Sequence, residues 1–427
     1  MVKDNDIKKY EGLIKNIFNP YGKFNGNELK YVLEYLDSEN PENDSNPWSA
    51  RLEDAFAKKM GVEYAIAHNS GTSTLHSCLH AAGVGAGDEI IGPVQTGIWF
   101  PFVCLHQNAS PVYVDSDPKT FNMDPHKVEE KITDRTKVII ATHMHGTPSG
   151  LDQIMEIADK HNLYVIEDCA QSALATYKGE ITGSIGHMGS FSFETKKHMT
   201  TGGQGGMVTT NDENLATKIR KHAGLGYKTL TSKQGMTSLM PHQFQNPHFK
   251  RHDSLAYNYR MPEICAAIGL AQLEDLENKV NRRIEIAMMY KKVFKNVGWI
   301  VPQKVPQNVK STFWSYTVEY QGMEKYGISW EKFYQMFNDN GGDGFYSCLA
   351  LNTEEIVMVN KPFYGTYTAS DYKLFSNRFN VADFDYPIAK KLQPLLMQFR
   401  TGYRDMKKAE KAGNALMKTI KQIEKNG

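Results

Sequence analysis

The sequence predicts an α/β fold: a mainly parallel central sheet flanked by helices, with a smaller C-terminal α+β domain. Two observations carry this. Between about residues 60 and 210, apolar runs of strand length alternate with segments of helical periodicity. Those runs are apolar nearly throughout, which marks parallel strands covered on both faces. Beyond about residue 290 the alternation gives way to a mixture of strands and helices.

In chain order, "VEYAIAHN" reads as a buried strand. "TSTLHSCLHAAG" reads as a helix, with Leu75, Cys78, Leu79 and Ala82 at helical spacing and Gly83 as its stop. Then follow "EIIGP" (strand), "WFPFVCLHQNA" (helix), "PVYVDSD" (strand), "HKVEEKI" (helix) and "KVIIATHMHG" (strand). "LDQIMEIADKHN" (helix) and "LYVIEDCAQ" (strand) close the alternation, and residues 213–224 read as helical. Residues 225–252 form a long polar loop, and loops of that length inside a compact domain tend to be functional. Residues 261–293 read as one long helix with Ala267, Leu270, Leu273, Leu276 and Val280 on one side. In the C-terminal part, "FWSYTVEY" reads as a strand and "WEKFYQMFNDNG" as a helix. The closing helix would pack through Met406, Ala409, Leu416, Ile420 and Ile423. The predicted domains are 1–290, including an N-terminal arm, and 291–427.

A net charge of +1 gives no electrostatic reason to expect nucleic acid or an acidic membrane surface. No apolar run approaches the roughly 20 residues of a membrane helix. The N-terminus "MVKDNDIKKYEGLI" lacks the apolar centre of a signal peptide. Cys78, Cys104, Cys169, Cys265 and Cys348 follow no metal or disulfide pattern, which suits a reducing cytoplasm.

In parallel sheets ligands collect beyond the carboxyl ends of the strands. "NSGTST" places Ser70, Gly71, Thr72 and Ser73 where a strand gives way to a helix. That is either a phosphate site at the helix N-terminus or simple N-capping. "VIEDCAQ" puts Glu167 and Asp168 at the end of an apolar strand, where a carboxylate needs a partner. In "FSFETKKHMTTGGQGGMVTT", Lys196, Lys197 and His198 precede a glycine-rich turn. Alone, a lysine pair is most often a solvated turn. "HMHG" has no matching third ligand, so no metal is expected. Together, a phosphate cradle, an acid for a pyridinium nitrogen and a lysine for a Schiff base are what pyridoxal 5'-phosphate requires.

The chain resembles the DegT/DnrJ/EryC1/StrS family of fold-type I, pyridoxal-phosphate-dependent sugar aminotransferases. The resemblance rests on "NSGTSTLH", "GVGAGDEIIGP", "TDRTKVIIATHMHG", "VIEDCAQ", "SIGHMGSFSFE", "TTGGQGGMV" and "YNYRMPEICAAIGLAQLE", in the family's order. It implies Lys197 as the Schiff-base lysine, because that lysine follows a phosphate-contacting serine, here Ser192, by five positions. The glycine turn is one residue longer than the family's usual "TTGEGG", and counting from it would favour His198 instead. Further implied are Gly71, Thr72 and Ser73 at the phosphate, Asp168 at the ring nitrogen and Gln171 near the phenolic oxygen. Asn258 would reach the phosphate from a second subunit of a homodimer, with Arg260 near the acidic substrates. The ring-stacking aromatic falls at Gly97, so Trp99 is its expected substitute. Lys250 and Arg251, in the long loop, are expected to contact the sugar substrate.

The expected reaction moves an amino group from glutamate or glutamine to a keto-sugar, nucleotide-linked. The alternatives are a keto-sugar dehydratase using His198 as base, and a non-catalytic sugar-binding protein of the same fold.

Overall fold

The computed structural model describes residues 22–38, 46–233, 235, 240–360 and 385–426. Most of the N-terminal arm and five positions of the 225–252 loop lie outside them.

Among the described residues, the first part of the chain has nine strands: β1 (Tyr64–His68), β2 (Glu89–Pro93), β3 (Ser110–Val114), β4 (Thr136–Thr142), β5 (Tyr164–Asp168), β6 (Thr176–Tyr177), β7 (Glu180–Ile181), β8 (Met188–Ser192) and β9 (Gly206–Thr210). Seven of them form the central sheet in the order β1-β9-β8-β5-β4-β2-β3. Strand β9 runs against both its neighbours, and the other pairs are parallel. Ile90, Ile91, Val138, Ile139, Ile140, Val165 and Ile166 are buried, some facing one side of the sheet and some the other. Each such side chain contributes about 1.5–3 kcal/mol on leaving water. This is the mainly parallel, doubly covered sheet that the apolar runs predict.

Two predicted helices take another form. "HKVEEKI" folds as two 3₁₀ turns, Pro125–Lys127 and Glu129–Lys131. Pro125 starts the first, Asp124 caps it through the His126 N–H, and the segment is too short to propagate an α-helix. The predicted helix over 261–293 is two, Glu263–Glu274 and Leu276–Val293. They break at Asp275, whose backbone (φ −100°, ψ 8°) is non-helical. Asp275 accepts from Asn278 and pairs with Lys279, and Lys279 also donates to the freed Gln272 carbonyl.

The C-terminal part contains β10 (Ile300–Pro302), β11 (Val309–Lys310), β12 (Ser315–Tyr320), β13 (Tyr346–Ser347) and β14 (Leu396–Arg400). All but β11 form an antiparallel sheet in the order β10-β12-β14-β13. Helices Trp330–Asp339 and Met406–Asn426 pack on it through Phe333, Phe337, Ala409, Leu416, Ile420 and Ile423. No helix among the described residues is long and apolar enough to cross a membrane.

Beside β1 a chain of hydrogen bonds is locked by its end. His68 Nδ1–H donates to the Ile66 carbonyl, so His68 Nε2 accepts from Ser77 Oγ (2.9 Å), and Ser77 Oγ accepts from His222 Nδ1–H (3.0 Å). Burial holds His68 at a pKa of about 4 and lowers His222 further. The native state therefore keeps these imidazoles neutral, while the unfolded chain binds protons below about pH 6.5. Their stabilising share is complete above that pH and is lost as pH falls towards 4. Between pH 7 and 5 His68 alone should cost about 2 kcal/mol. Urea midpoints that do not fall over this range would contradict this.

Candidate active site

Strand β5 brings two carboxylates to one place and then separates them, because successive residues of a strand face opposite ways. Glu167 Oε1 accepts the Ile185 and Gly186 N–H groups, and Oε2 accepts from His143 Nε2–H at 3.0 Å. His143 Nδ1 accepts the Ser149 N–H. Cys169 brings its sulfur within 4.8 Å of these two groups. Both ring nitrogens and both carboxylate oxygens are already engaged, so the cluster acts as a hydrogen-bonded strut.

Asp168 is 2% exposed. Its Oδ1 accepts the Ala170 N–H (3.1 Å) and its Oδ2 accepts Trp99 Nε1–H (3.2 Å). Burial pushes its pKa up. The two donated hydrogen bonds and the charge of Lys197 act against that.

Trp99 opens the helix Trp99–His106. A Cβ placed on Gly97 would lie 1.8 Å from the Trp99 ring. The indole thus fills the space that a side chain at position 97 would need, although the residue stands two positions later. Lys197 Nζ lies 5.9 Å from the Trp99 ring and 5.2 Å from that of Trp314. Burial lowers the Lys197 pKa, opposed by the charges of Asp168 and Glu194.

The neighbours of Lys197 have other partners. Lys196 is exposed, and its ammonium lies 5.7 Å from the Tyr346 ring. His198 is buried with Nε2 against the Thr312 carbonyl at 3.4 Å, and burial holds its pKa well below the ordinary value.

At the start of helix Gly71–Ala81, Ser70 Oγ caps the Ser73 N–H. The Gly71 and Thr72 N–H groups come earlier in the first turn, where no helical partner exists. The Thr72 side chain is exposed. Ser73 Oγ already bonds Asn69 Oδ1 and the Ser70 carbonyl. A Cβ on Gly71 would sit 2.7 Å from Ser192 Cβ, so this glycine lets the helix start meet the end of β8. Donors, a helix N-terminus and a close hydroxyl make a cradle that suits a phosphate.

A cavity of about 990 Å³ opens beside Trp99 and Lys197; Gly71, Thr72, Ser73 and Ser192 are not in its lining. Trp99, Gln171, Lys196, Lys197 and His198 line it; Asp168 sits behind the indole. Gln171 Oε1 accepts the His145 N–H at 2.7 Å. Asn258, Arg260, Lys250 and Arg251 do not line the cavity. Asn258 Oδ1 accepts Arg260 Nε–H, and both residues are exposed beside β1. The lining also includes residues without a sequence signal: Arg283, Trp314, Tyr346, Arg400 and Arg404. They are dispersed over the second half of the chain and belong to no motif.

The model of the DegT/DnrJ/EryC1/StrS aminotransferase family matches residues 23–341. GDP-perosamine synthase of Caulobacter vibrioides is 40% identical over 297 residues, covering 69% of this chain and 75% of that one. Spore coat polysaccharide biosynthesis protein SpsC of Bacillus subtilis is 36% identical, covering 67% and 72%. An aminotransferase structure from Psychrobacter cryohalolentis superposes with a TM-score of 0.80 at 29% identity, covering 95% of this chain and 99% of that one. The chain belongs to the DegT/DnrJ/EryC1/StrS aminotransferase family and is a pyridoxal-phosphate-dependent aminotransferase.

Proposed function

We propose that this enzyme moves an amino group from glutamate or glutamine to the keto carbon of a nucleotide-linked sugar, in polysaccharide biosynthesis, with Lys197 as the reacting amine. One observation carries the residue assignment: Lys197 and Asp168 flank the same indole, at 5.9 Å from its ring and 3.2 Å from its N–H. The relatives support the acceptor, since one is a synthase of a GDP-linked amino sugar and another serves polysaccharide biosynthesis by name.

When bound, pyridoxal phosphate supplies an aldehyde and a ring that withdraws electrons. The chain supplies the rest. The Gly71 and Thr72 N–H groups, with Ser73 and Ser192, would hold the phosphate. Asp168, whose Oδ2 accepts the Trp99 N–H, would accept from the protonated ring nitrogen. Trp99 would give the ring an aromatic face, and Gln171, which lines the same cavity, would serve the phenolic oxygen. Burial lowers the proton affinity of Lys197 Nζ, which favours the neutral amine needed to bond the cofactor and then carry a proton. His198 is less suited to the dehydratase role, because its Nε2 faces a backbone carbonyl. A non-catalytic sugar-binding role has no support from the named relatives.

The chain is read as two units dividing near residue 290. Leu276 and Val280 of the helix before that point pack with the first unit, and Ile286, Ala287 and Tyr290 with the second. Five free cysteines suit a cytoplasmic enzyme.

A second copy completes the site. Asn258 is assigned to the phosphate of the partner's site, as the family resemblance implies, and Arg260, Lys250 and Arg251 to the substrates; none of the four lines this chain's own cavity. Mixing Lys197→Ala with Asn258→Ala subunits should then restore about a quarter of wild-type activity, because half of the random dimers carry one intact site. No recovery on mixing, or a fully active monomer in sedimentation, would sink the assignment.

The function itself is tested with GDP- and UDP-linked keto sugars and either donor, reading amino-sugar formation by mass. Failure of every such acceptor, in an enzyme whose cofactor accepts an amino group, would refute it.

A further inference from the structure

Four histidines that take no part in lining the cavity gather where three helices meet. His76 and His80 stand one turn apart on helix Gly71–Ala81, His106 ends helix Trp99–His106, and His222 lies in the last turn of helix Glu213–Ala223. The His76 ring is 4.9 Å from that of His222 and 5.7 Å from that of His106, and the His80 ring stacks on His222 at 4.2 Å. The hydrogen-bond chain that starts at His68 fixes the His222 tautomer: Nδ1 carries the proton and donates it to Ser77 Oγ, so Nε2 holds a bare lone pair. His222 is 2% exposed, and among the described residues nothing donates to that lone pair. His76 is held in a similar way: its Nδ1 bonds Tyr259 Oη at 2.9 Å, and its Nε2 has no partner among the described residues. His80 and His106, both half-buried, have no hydrogen bond there at all.

A buried lone pair without a donor is unfavourable, and a metal ion is the other kind of group that satisfies it. Histidine ligands are ordinarily oriented by a hydrogen bond at their second nitrogen, which is what Ser77 and Tyr259 supply. Two imidazoles on one ion, with metal–nitrogen bonds of about 2.1 Å, hold their ring centres about 5 Å apart. His76 and His222 already stand at that separation. Burial, and then the nearby His106 and His80, hold His76 at a pKa of about 4; burial and Lys218 lower His80. At neutral pH no proton competes with a metal for these rings. The cluster of His143, Glu167 and Cys169 has the opposite character: its atoms converge but are engaged. Here the nitrogens are free, and the set closes when the unheld rings of His80 and His106 turn towards the other two.

We propose that these four histidines form a site for a divalent transition metal, bound through His76 Nε2 and His222 Nε2 and completed by His80 and His106. Imidazole ligands suit zinc, cobalt, nickel or copper rather than magnesium or calcium. The ion would brace Tyr257 and Tyr259, whose rings lie 5.1 and 5.9 Å from that of His76 and which flank Asn258.

The test uses the full chain with its cofactor, dialysed against a chelator and titrated with Zn²⁺ alone and with Co²⁺ as a spectroscopic probe. One ion per chain should bind saturably. Co²⁺ should give the strong visible absorption of four-coordinate nitrogen ligation. Zn²⁺ should raise the thermal midpoint, because it binds only the folded state, and Mg²⁺ should not. His222→Ala would also break the hydrogen-bond chain to His68, so the His80→Ala, His106→Ala double variant carries the test. Its metal-free thermal midpoint should match that of the metal-free wild type, while its Zn²⁺ affinity should fall at least about 10-fold. Absence of saturable binding, a weak six-coordinate Co²⁺ spectrum, or Zn²⁺ affinity undiminished in the double variant would each overturn the proposal.

Discussion

Lys197→Ala is expected to abolish amino transfer, with a fall in kcat of at least about 10⁴-fold. On the proposed assignment, the substitution removes both the covalent anchor of the cofactor and the group that carries the proton. Neither neighbour can substitute. The Lys196 ammonium lies beside Tyr346, and the His198 ring is packed against the Thr312 carbonyl. Lys196→Ala should retain most activity. His198→Ala should weaken the enzyme only by loosening the wall behind Lys197. Folding should survive Lys197→Ala, because the ammonium lost is one that burial already disfavours. Borohydride reduction followed by peptide mapping locates the modified residue directly. A cofactor adduct on Lys196 would overturn the choice of Lys197, and activity that depends on His198 with no lysine adduct would point to the dehydratase branch.

Asp168→Asn is expected to bind cofactor and to lose most turnover. Asparagine has nearly the same shape but no charge to keep a ring nitrogen protonated. The loss of a charge-assisted contact of this kind costs about 1.5–3 kcal/mol, or roughly 10- to 200-fold in rate. Stability should move little, because two effects oppose each other. The asparagine has one oxygen where the aspartate has two, so either the Ala170 or the Trp99 N–H loses its acceptor. Against that, a carboxylate whose charged form is disfavoured by burial is removed. Turnover near that of the wild type would refute the ring-nitrogen role. A large drop in thermal midpoint would show that Asp168 serves mainly to hold Trp99.

Much of this was legible in the sequence because it is local. Apolar runs of strand length determine which segments are buried on both sides, and β2, β4 and β5 are found there. A strand end followed by a helix start determines a place for an anion, and "NSGTST" lies at one. The spacing from Ser192 to Lys197 also belongs to a single strand and its turn. Tertiary structure decided what depends on distant residues meeting. Whether Glu167 or Asp168 faces the indole follows from the twist and register of β5 against β4 and β8. Periodicity at 261–293 continues past Asp275, yet the helix breaks there: Lys279 donates to the freed Gln272 carbonyl, and Asn278 and Lys279 hold the Asp275 carboxylate. Trp99 covers the place of a side chain at 97 only because its helix begins just there. The arginines of the cavity lining could not be read from sequence: Arg283, Arg400 and Arg404 lie far apart in the chain or carry no motif. They meet only when the antiparallel C-terminal sheet is set against the helix Leu276–Val293, which brings them into the lining of one cavity.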